Sequence, residues 1–166
     1  MTDPVAADAV DHIADQWAAE RPDLDVGPME VIGRIHRVGA LLDTRLREVF
    51  AQAALGNGDF DVLASLRRSG SPYELTPTEL SAATMVTSGA VTKRVDRLER
   101  LGLVDRQVSE SDGRGRVIGL TRQGRALVDR LHPLHLANED QLLHALDAEE
   151  RAQLAGLLRK LLLSLE

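Results

Sequence analysis

Thr76-Pro77-Thr78-Glu79-Leu80-Ser81-Ala82-Ala83, followed after three residues by Thr87-Ser88-Gly89-Ala90-Val91-Thr92-Lys93-Arg94-Val95-Asp96-Arg97-Leu98-Glu99-Arg100-Leu101-Gly102, is the stretch that decides the fold. Thr76 stands where a helix N-cap is wanted, Pro77 at the first helical position and Glu79 at the third, which makes a capping box with a preset φ. The helix it starts is short, about 77–83. A turn separates it from a second helix that opens at Thr87-Ser88-Gly89, runs to Leu101 and stops at Gly102. Short helix, tight turn and second helix form a helix-turn-helix pattern.

Beyond Gly102, Leu103-Val104-Asp105-Arg106-Gln107-Val108 reads as a strand, Ser111-Asp112-Gly113-Arg114-Gly115 as a turn and Arg116-Val117-Ile118-Gly119-Leu120 as the returning strand. This hairpin is a wing. Upstream, residues 5–20 read as a short amphipathic helix with Val10, Ile13, Ala14 and Trp17 on one face, and residues 21–28 as a turn-rich linker. A long helix over 29–54 follows, with Val31, Ile32, Ile35, Val38, Leu42, Leu46, Val49 and Phe50 on one broad face. Gly56-Asn57-Gly58 stops it, and Asp59 is placed to cap the next helix. Downstream, Thr121 caps a helix over 122–145, which Pro133 is expected to kink or restart. A last helix begins at Asp147-Ala148-Glu149-Glu150, with Leu154, Leu157, Leu158, Leu161, Leu162 and Leu165 as its apolar stripe. That stripe either folds back on the chain's own core or forms a dimer seam with the N-terminal helices.

The fold class is therefore mainly α: a winged helix-turn-helix with a small two-stranded β-wing, expected to dimerise through N- and C-terminal helices because such proteins usually read two half-sites. The chain of 166 residues has only four aromatic side chains besides histidine, so its core is aliphatic and suits helix-on-helix packing. Without cysteine there is neither a disulfide framework nor a thiolate metal site. The first residues lack a long apolar run, so neither a signal peptide nor a membrane span is expected, and the expected location is cytoplasmic. A net charge of −6 argues against nucleic acid only until its distribution is read. Between Leu66 and Arg130 there are 12 Lys and Arg against 8 Asp and Glu, whereas the remainder holds 8 against 18. A basic middle between acidic flanks suits a DNA-binding lobe on an acidic scaffold.

On the second helix of the motif, 100° per residue puts Val91, Val95 and Leu98 toward the core and Lys93, Arg97 and Arg100 roughly opposite. Lys93 and Arg97 are expected to meet DNA, with Thr87, Ser88 and Thr92 close behind, because base edges and phosphates need such donors and acceptors. In the wing, Arg114 is expected in the minor groove, Asp112 to orient its guanidinium, and Arg116 to add a phosphate contact. Arg94 lies only about 60° from the core direction and needs a partner, for which Asp61 is the candidate in a ligand-free state and an anionic ligand in a bound one. His132, His135, Glu139 and His144 invite a zinc reading, which Pro133 and the lack of a compact ligand cluster disfavour. These histidines would also suit a pH-sensitive dimer interface. No nucleophile–base pair or phosphate loop stands out, so an enzyme is not expected, and no cofactor is called for.

In order and spacing, Leu75-Thr76-Pro77-Thr78-Glu79-Leu80, the segment Ser88 to Glu99, Gly102-Leu103-Val104 with Arg106, Asp112-Gly113-Arg114 and Leu120-Thr121 resemble the MarR family of regulators over residues 29–165. The chain is similar in particular to the urate-responsive branch. Trp17, Asp61, Arg94 and Arg106 stand at the positions that the resemblance assigns to the ligand, supported by Arg21-Pro22-Asp23-Leu24-Asp25 and Leu66-Arg67-Arg68-Ser69-Gly70. The resemblance implies an extra N-terminal helix and linker over 1–28 and a MarR-type domain over 29–166. Its dimerisation helices would be 29–55 and 122–166, and its winged lobe about 56–121. It also implies a homodimeric repressor on a pseudo-palindromic double-stranded DNA operator, released by a small anion such as urate or xanthine. Two other readings stay open: a regulator of the same type answering a different phenolic ligand, and a ligand-insensitive architectural DNA-binding protein.

Overall fold

The computed structural model describes residues 6–85, 88–108 and 116–166, with Ser88 and Gly89 described by their backbone alone. The elements run α1 (Ala9–Glu20), α2 (Gly27–Ala51), α3 (Asn57–Arg68), β1 (Glu74–Leu75), α4 (Pro77–Ala83), α5 (Ser88–Arg100), β2 (Val104–Val108), β3 (Arg116–Leu120), α6 (Arg122–Leu142) and α7 (Ala148–Leu163). They fall into two compact units, Met1–Arg45 and Leu46–Glu166.

In the first unit Asp8 caps α1. Its carboxylate accepts the Val10 and Asp11 N–H groups while Asp11 accepts the Asp8 N–H. Arg34 of α2 reaches both carboxylates, at 2.9 Å from Asp8 and 2.5 Å from Asp11. Between the helices Val10 is buried beside Gly33, where a Cβ would stand 3.2 Å from a Val10 methyl. α2 starts at Gly27, inside the stretch read as linker, and ends at Ala51 rather than 54. Val31, Ile32, Ile35, Val38 and Leu41 remain exposed along it.

The second unit is built round Phe50 and Phe60, whose rings stack with centroids 4.4 Å apart. Around them lie Val62, Leu63 and Leu66 of α3, Leu80 of α4, Val91, Val95 and Leu98 of α5, Leu103, Val104 and Ile118 of the sheet side, and Val128 and Leu131 of α6. α5 closes on Gly102 at φ +70°, with Gly102 N–H donating to the Glu99 carbonyl and Leu103 N–H to that of Leu98. This is a Schellman closure, and it turns the chain straight into β2.

The expected two-stranded wing pairing forms from β2 and β3, and a third strand extends its sheet. β1 joins the hairpin, giving the order β1-β3-β2, with Glu74 opposite Gly119 and Val104 opposite Leu120. Thr121 caps α6 by accepting the Gly124 N–H at 3.0 Å, and its hydroxyl donates to the Gly102 carbonyl at 2.8 Å. α6 continues through Pro133 as one helix, without the restart that was one of its two expected effects; a proline costs the ladder one N–H and leaves the Asp129 carbonyl to other partners. α7 is capped by Asp147 and buries none of its residues. Among the described residues no helix is long and apolar enough to cross a membrane.

Candidate nucleic-acid interface

The capping box at the start of α4 forms as its residue types demand. The Thr76 hydroxyl oxygen accepts the Glu79 N–H at 3.2 Å, and Glu79 accepts the Thr76 N–H at 2.8 Å. The Thr76 backbone N–H foremost, and the Thr76 hydroxyl donating to the same carboxylate at 2.8 Å, hold the Glu79 carboxyl below its ordinary 4.5. At its other end the Ala83 carbonyl accepts from the buried Ser65 hydroxyl of α3 at 3.2 Å and from Arg68, so α3 seats the helix-turn-helix.

α5 turns Val91, Val95 and Leu98 into the core and leaves Thr92, Lys93 and Arg97 exposed, the division that the 100° spacing predicts. Thr87 lies outside the described residues, as does the side chain of Ser88. In the wing Asp112 and Arg114 lie outside them as well, and Arg116 is exposed at the start of β3. Between α4, α5 and the wing strands runs an open groove of about 530 Å³, lined among others by Thr78, Ser81, Val91, Thr92, Arg106 and Arg116.

The basic residues near α5 are less free than their sequence positions suggest. Arg97 does not stand clear on the groove side. Its Nε lies 3.2 Å from Asp59, and its Nη2 donates to the Ala54 carbonyl. Arg94 points inward as expected, but its partner is Asp59, at 3.7 Å, and not Asp61. The reason is the helical turn. Two residues along α3 rotate the side chain by 200°, so Asp59 faces α5 while Asp61 faces the turn after α4. There Asp61 accepts the Met85 N–H at 2.7 Å. Asp59 also accepts the Gly56 N–H at 3.0 Å, so it closes the first turn of α3 from the third helical position and not as its N-cap. Arg94 approaches so closely that a Cβ at Gly58 would overlap its guanidinium, which is why a glycine fits there. The signal for Asp59 was present in Gly56-Asn57-Gly58-Asp59, a small-residue approach followed by an acid in the first turn.

Arg106 of β2 pairs with Asp96 and Glu99, one turn apart on α5. These carboxylates, Asp96 foremost, hold its guanidinium more firmly protonated than an ordinary arginine. The residues assigned to a ligand by resemblance therefore sit apart within the second unit: Asp61 lines a recess of about 310 Å³, Arg94 a shallow one with Asp59 and Lys93, and Arg106 the groove beside the wing. The recess at Asp61 also holds Phe60, Arg68, His132 and His135, and His135 lies 3.1 Å from Glu139. Among the described residues no group of three or more acids and histidines is placed to hold a metal ion. Trp17 belongs to α1 of the first unit and is 48% exposed.

A capped short helix, a second helix with an apolar inner face and a polar outer one, and a three-stranded sheet beside it define a winged helix-turn-helix protein. The chain belongs to the MarR family of transcriptional regulators. The family description, MarR family, matches residues 55–115. Over 149 residues the chain is 43% identical to the HTH-type transcriptional regulator PecS of Dickeya dadantii, covering 90% of each. A mutant MarR from Escherichia coli complexed with operator DNA is 31% identical with a TM-score of 0.70, over 88% of this chain and 97% of that one. Sco3205, a MarR family transcriptional regulator from Streptomyces coelicolor solved in complex with DNA, is 25% identical with a TM-score of 0.77, over 86% and 90%. The chain is thus a regulator and not an enzyme.

Proposed function

We propose that the chain is a cytoplasmic homodimeric repressor that binds a pseudo-palindromic operator, and that urate or a related purine or aromatic anion such as xanthine weakens this binding. The observation that carries the DNA reading is α5: its apolar side is consumed by the core, and Thr92 and Lys93 stand exposed beside a groove that Arg116 flanks. Thr87, Ser88, Thr92 and Lys93 of the helix meet the major groove, and Arg97 lies on the same face with its guanidinium held by Asp59. Arg114 of the wing, oriented by Asp112, meets the minor groove, and Arg116 meets the backbone. Similarity to two proteins solved with DNA supports this assignment. The exposed leucines of α7 support the dimer, whose half-sites would lie about one helical turn apart.

The ligand reading rests on the similarity to PecS and on Asp61, a buried carboxylate on the wall of a recess large enough for a planar anion. Asp61 accepts ring N–H groups in this reading, and Arg94 and Arg106 complement the negative charge. Bringing Arg94 to such a ligand takes it off Asp59, and since Arg94 belongs to α5, occupancy and the pose of the DNA-reading helix become linked.

The test is an equilibrium titration of urate into the protein bound to the duplex upstream of its own coding sequence, with a random duplex as control and xanthine as competitor. The fluorescence of Trp17, the single tryptophan, is followed in the same sample. A Trp17 response that tracks release of the specific duplex supports both parts. Specific binding with neither signal moved by urate leaves the regulator and removes urate. Equal affinity for both duplexes makes the chain an architectural binder.

A further inference from the structure

Asp59 is a buried carboxylate of the second unit with several partners. It is 5% exposed, accepts the Gly56 N–H at 3.0 Å, lies 3.2 Å from Arg97 Nε and 3.7 Å from Arg94 Nη1, and so answers two cations one turn apart on α5. Arg97 continues past it to the carbonyl of Ala54, a residue held at φ +54° in the junction between α2 and α3. Arg94 lies on the bare backbone of Gly58, with its Nε buried and without a hydrogen-bond partner. A single buried charge therefore joins the first turn of α3, the α2–α3 junction and the DNA-facing helix.

We propose that Asp59 is a positioning residue that withholds the Arg97 charge from DNA phosphates and, through Arg94 and Arg97 together, sets the pose in which α5 enters the groove. A guanidinium satisfied by a buried carboxylate adds little to phosphate attraction, which is indifferent to sequence. The exposed cation left to α5 near its start is Lys93, next to Thr92, where base edges are read. Asp59 in this way raises the preference for the operator over random duplex without touching DNA. A buried carboxylate with one arginine removed is costly, so the pairing persists in the complex.

The inference rests on the DNA-binding reading and is tested with Asp59→Asn, which keeps the shape and an acceptor for the Gly56 N–H. Wild type and variant are titrated with the upstream duplex and with random duplex over a range of salt. In the variant Arg97 becomes free to meet phosphate, so the slope of log affinity against log salt steepens by about one per protomer. Random-duplex binding tightens, operator binding weakens, and the ratio of the two affinities falls by about tenfold. Asp59→Asn with Arg97→Gln returns the slope to that of wild type. A folded Asp59→Asn with unchanged slope and ratio, an equal loss on both duplexes, or a double variant that stays steep overturns the proposal. Should Asp59→Asn not fold, Gly58→Ala displaces Arg94 with Asp59 intact; operator binding then falls several-fold at constant random-duplex affinity, and equal losses overturn the proposal. A wild type that does not distinguish the two duplexes defeats the DNA reading itself, and this inference with it.

Discussion

Gly124 sits in the first turn of α6, where a Cβ would overlap the Leu103 carbonyl and come 2.9 Å from Leu120. The clash is with backbone, and the Leu103 carbonyl is already fixed by accepting from Thr121. Gly124→Ala should therefore cost about 1–3 kcal/mol, read as a lower denaturant midpoint at constant m. This requirement could not be seen in the sequence, because it arises between Gly124 and Leu103, far apart along the chain. The same limit applies to Asp59 and Asp61. Both are acids near the start of one helix, and only the rotation of α3 decides which faces α5. Arg106 was legible as a cation near the motif, but its partners Asp96 and Glu99 belong to a register between β2 and α5 that no local spacing encodes.

The α4 cap makes a prediction that belongs to the element. Thr76→Ala removes the acceptor for the Glu79 N–H and should cost about 1 kcal/mol. Glu79 is held below its ordinary 4.5, so the unfolded chain binds this proton more readily than the folded one. Its contribution is complete above that ordinary value and is lost as pH falls through the lower folded one. The difference in unfolding midpoint between wild type and Glu79→Gln should accordingly be present near neutral pH, shrink as pH falls below the ordinary 4.5 and vanish once pH is below the lower folded value; a difference constant with pH would show that the carboxylate does not act through its charge. Thr76, Pro77, Glu79 and Gly102 were readable because each acts within a few residues of itself, and Val91, Val95 and Leu98 because the helix repeats every 3.6 residues. β1 was not, since two residues carry no periodicity and its pairing partners are Ile118 and Gly119. That α6 runs through Pro133 without a restart was not legible either, because local propensity is a weak prior against packing along a long helix.

Across the whole molecule, the uneven charge of the sequence was informative in sign but not in place. Of the basic residues concentrated between Leu66 and Arg130, Arg67 pairs with Asp129 at 2.7 Å, and Arg94, Arg97 and Arg106 are matched by acids of the same unit. Counting charges therefore overstates what is offered to DNA. Covering the leucines of α7 with a second copy predicts that Leu157→Glu with Leu162→Glu, both exposed in the single chain, lowers the sedimenting mass to that of one chain and abolishes operator binding. Retention of the larger mass would exclude this face from the seam. A terminal helix of 16 residues that buries nothing in its own chain also has a consequence for abundance. Where the folded state is completed by a partner, mass action enters its stability, and the melting temperature climbs with protein concentration. Dilution then acts as a denaturant: below a threshold of synthesis each chain is left incomplete and open to proteolysis, and above it the population persists, so the number of regulators in a cell rises more steeply than the rate at which they are made.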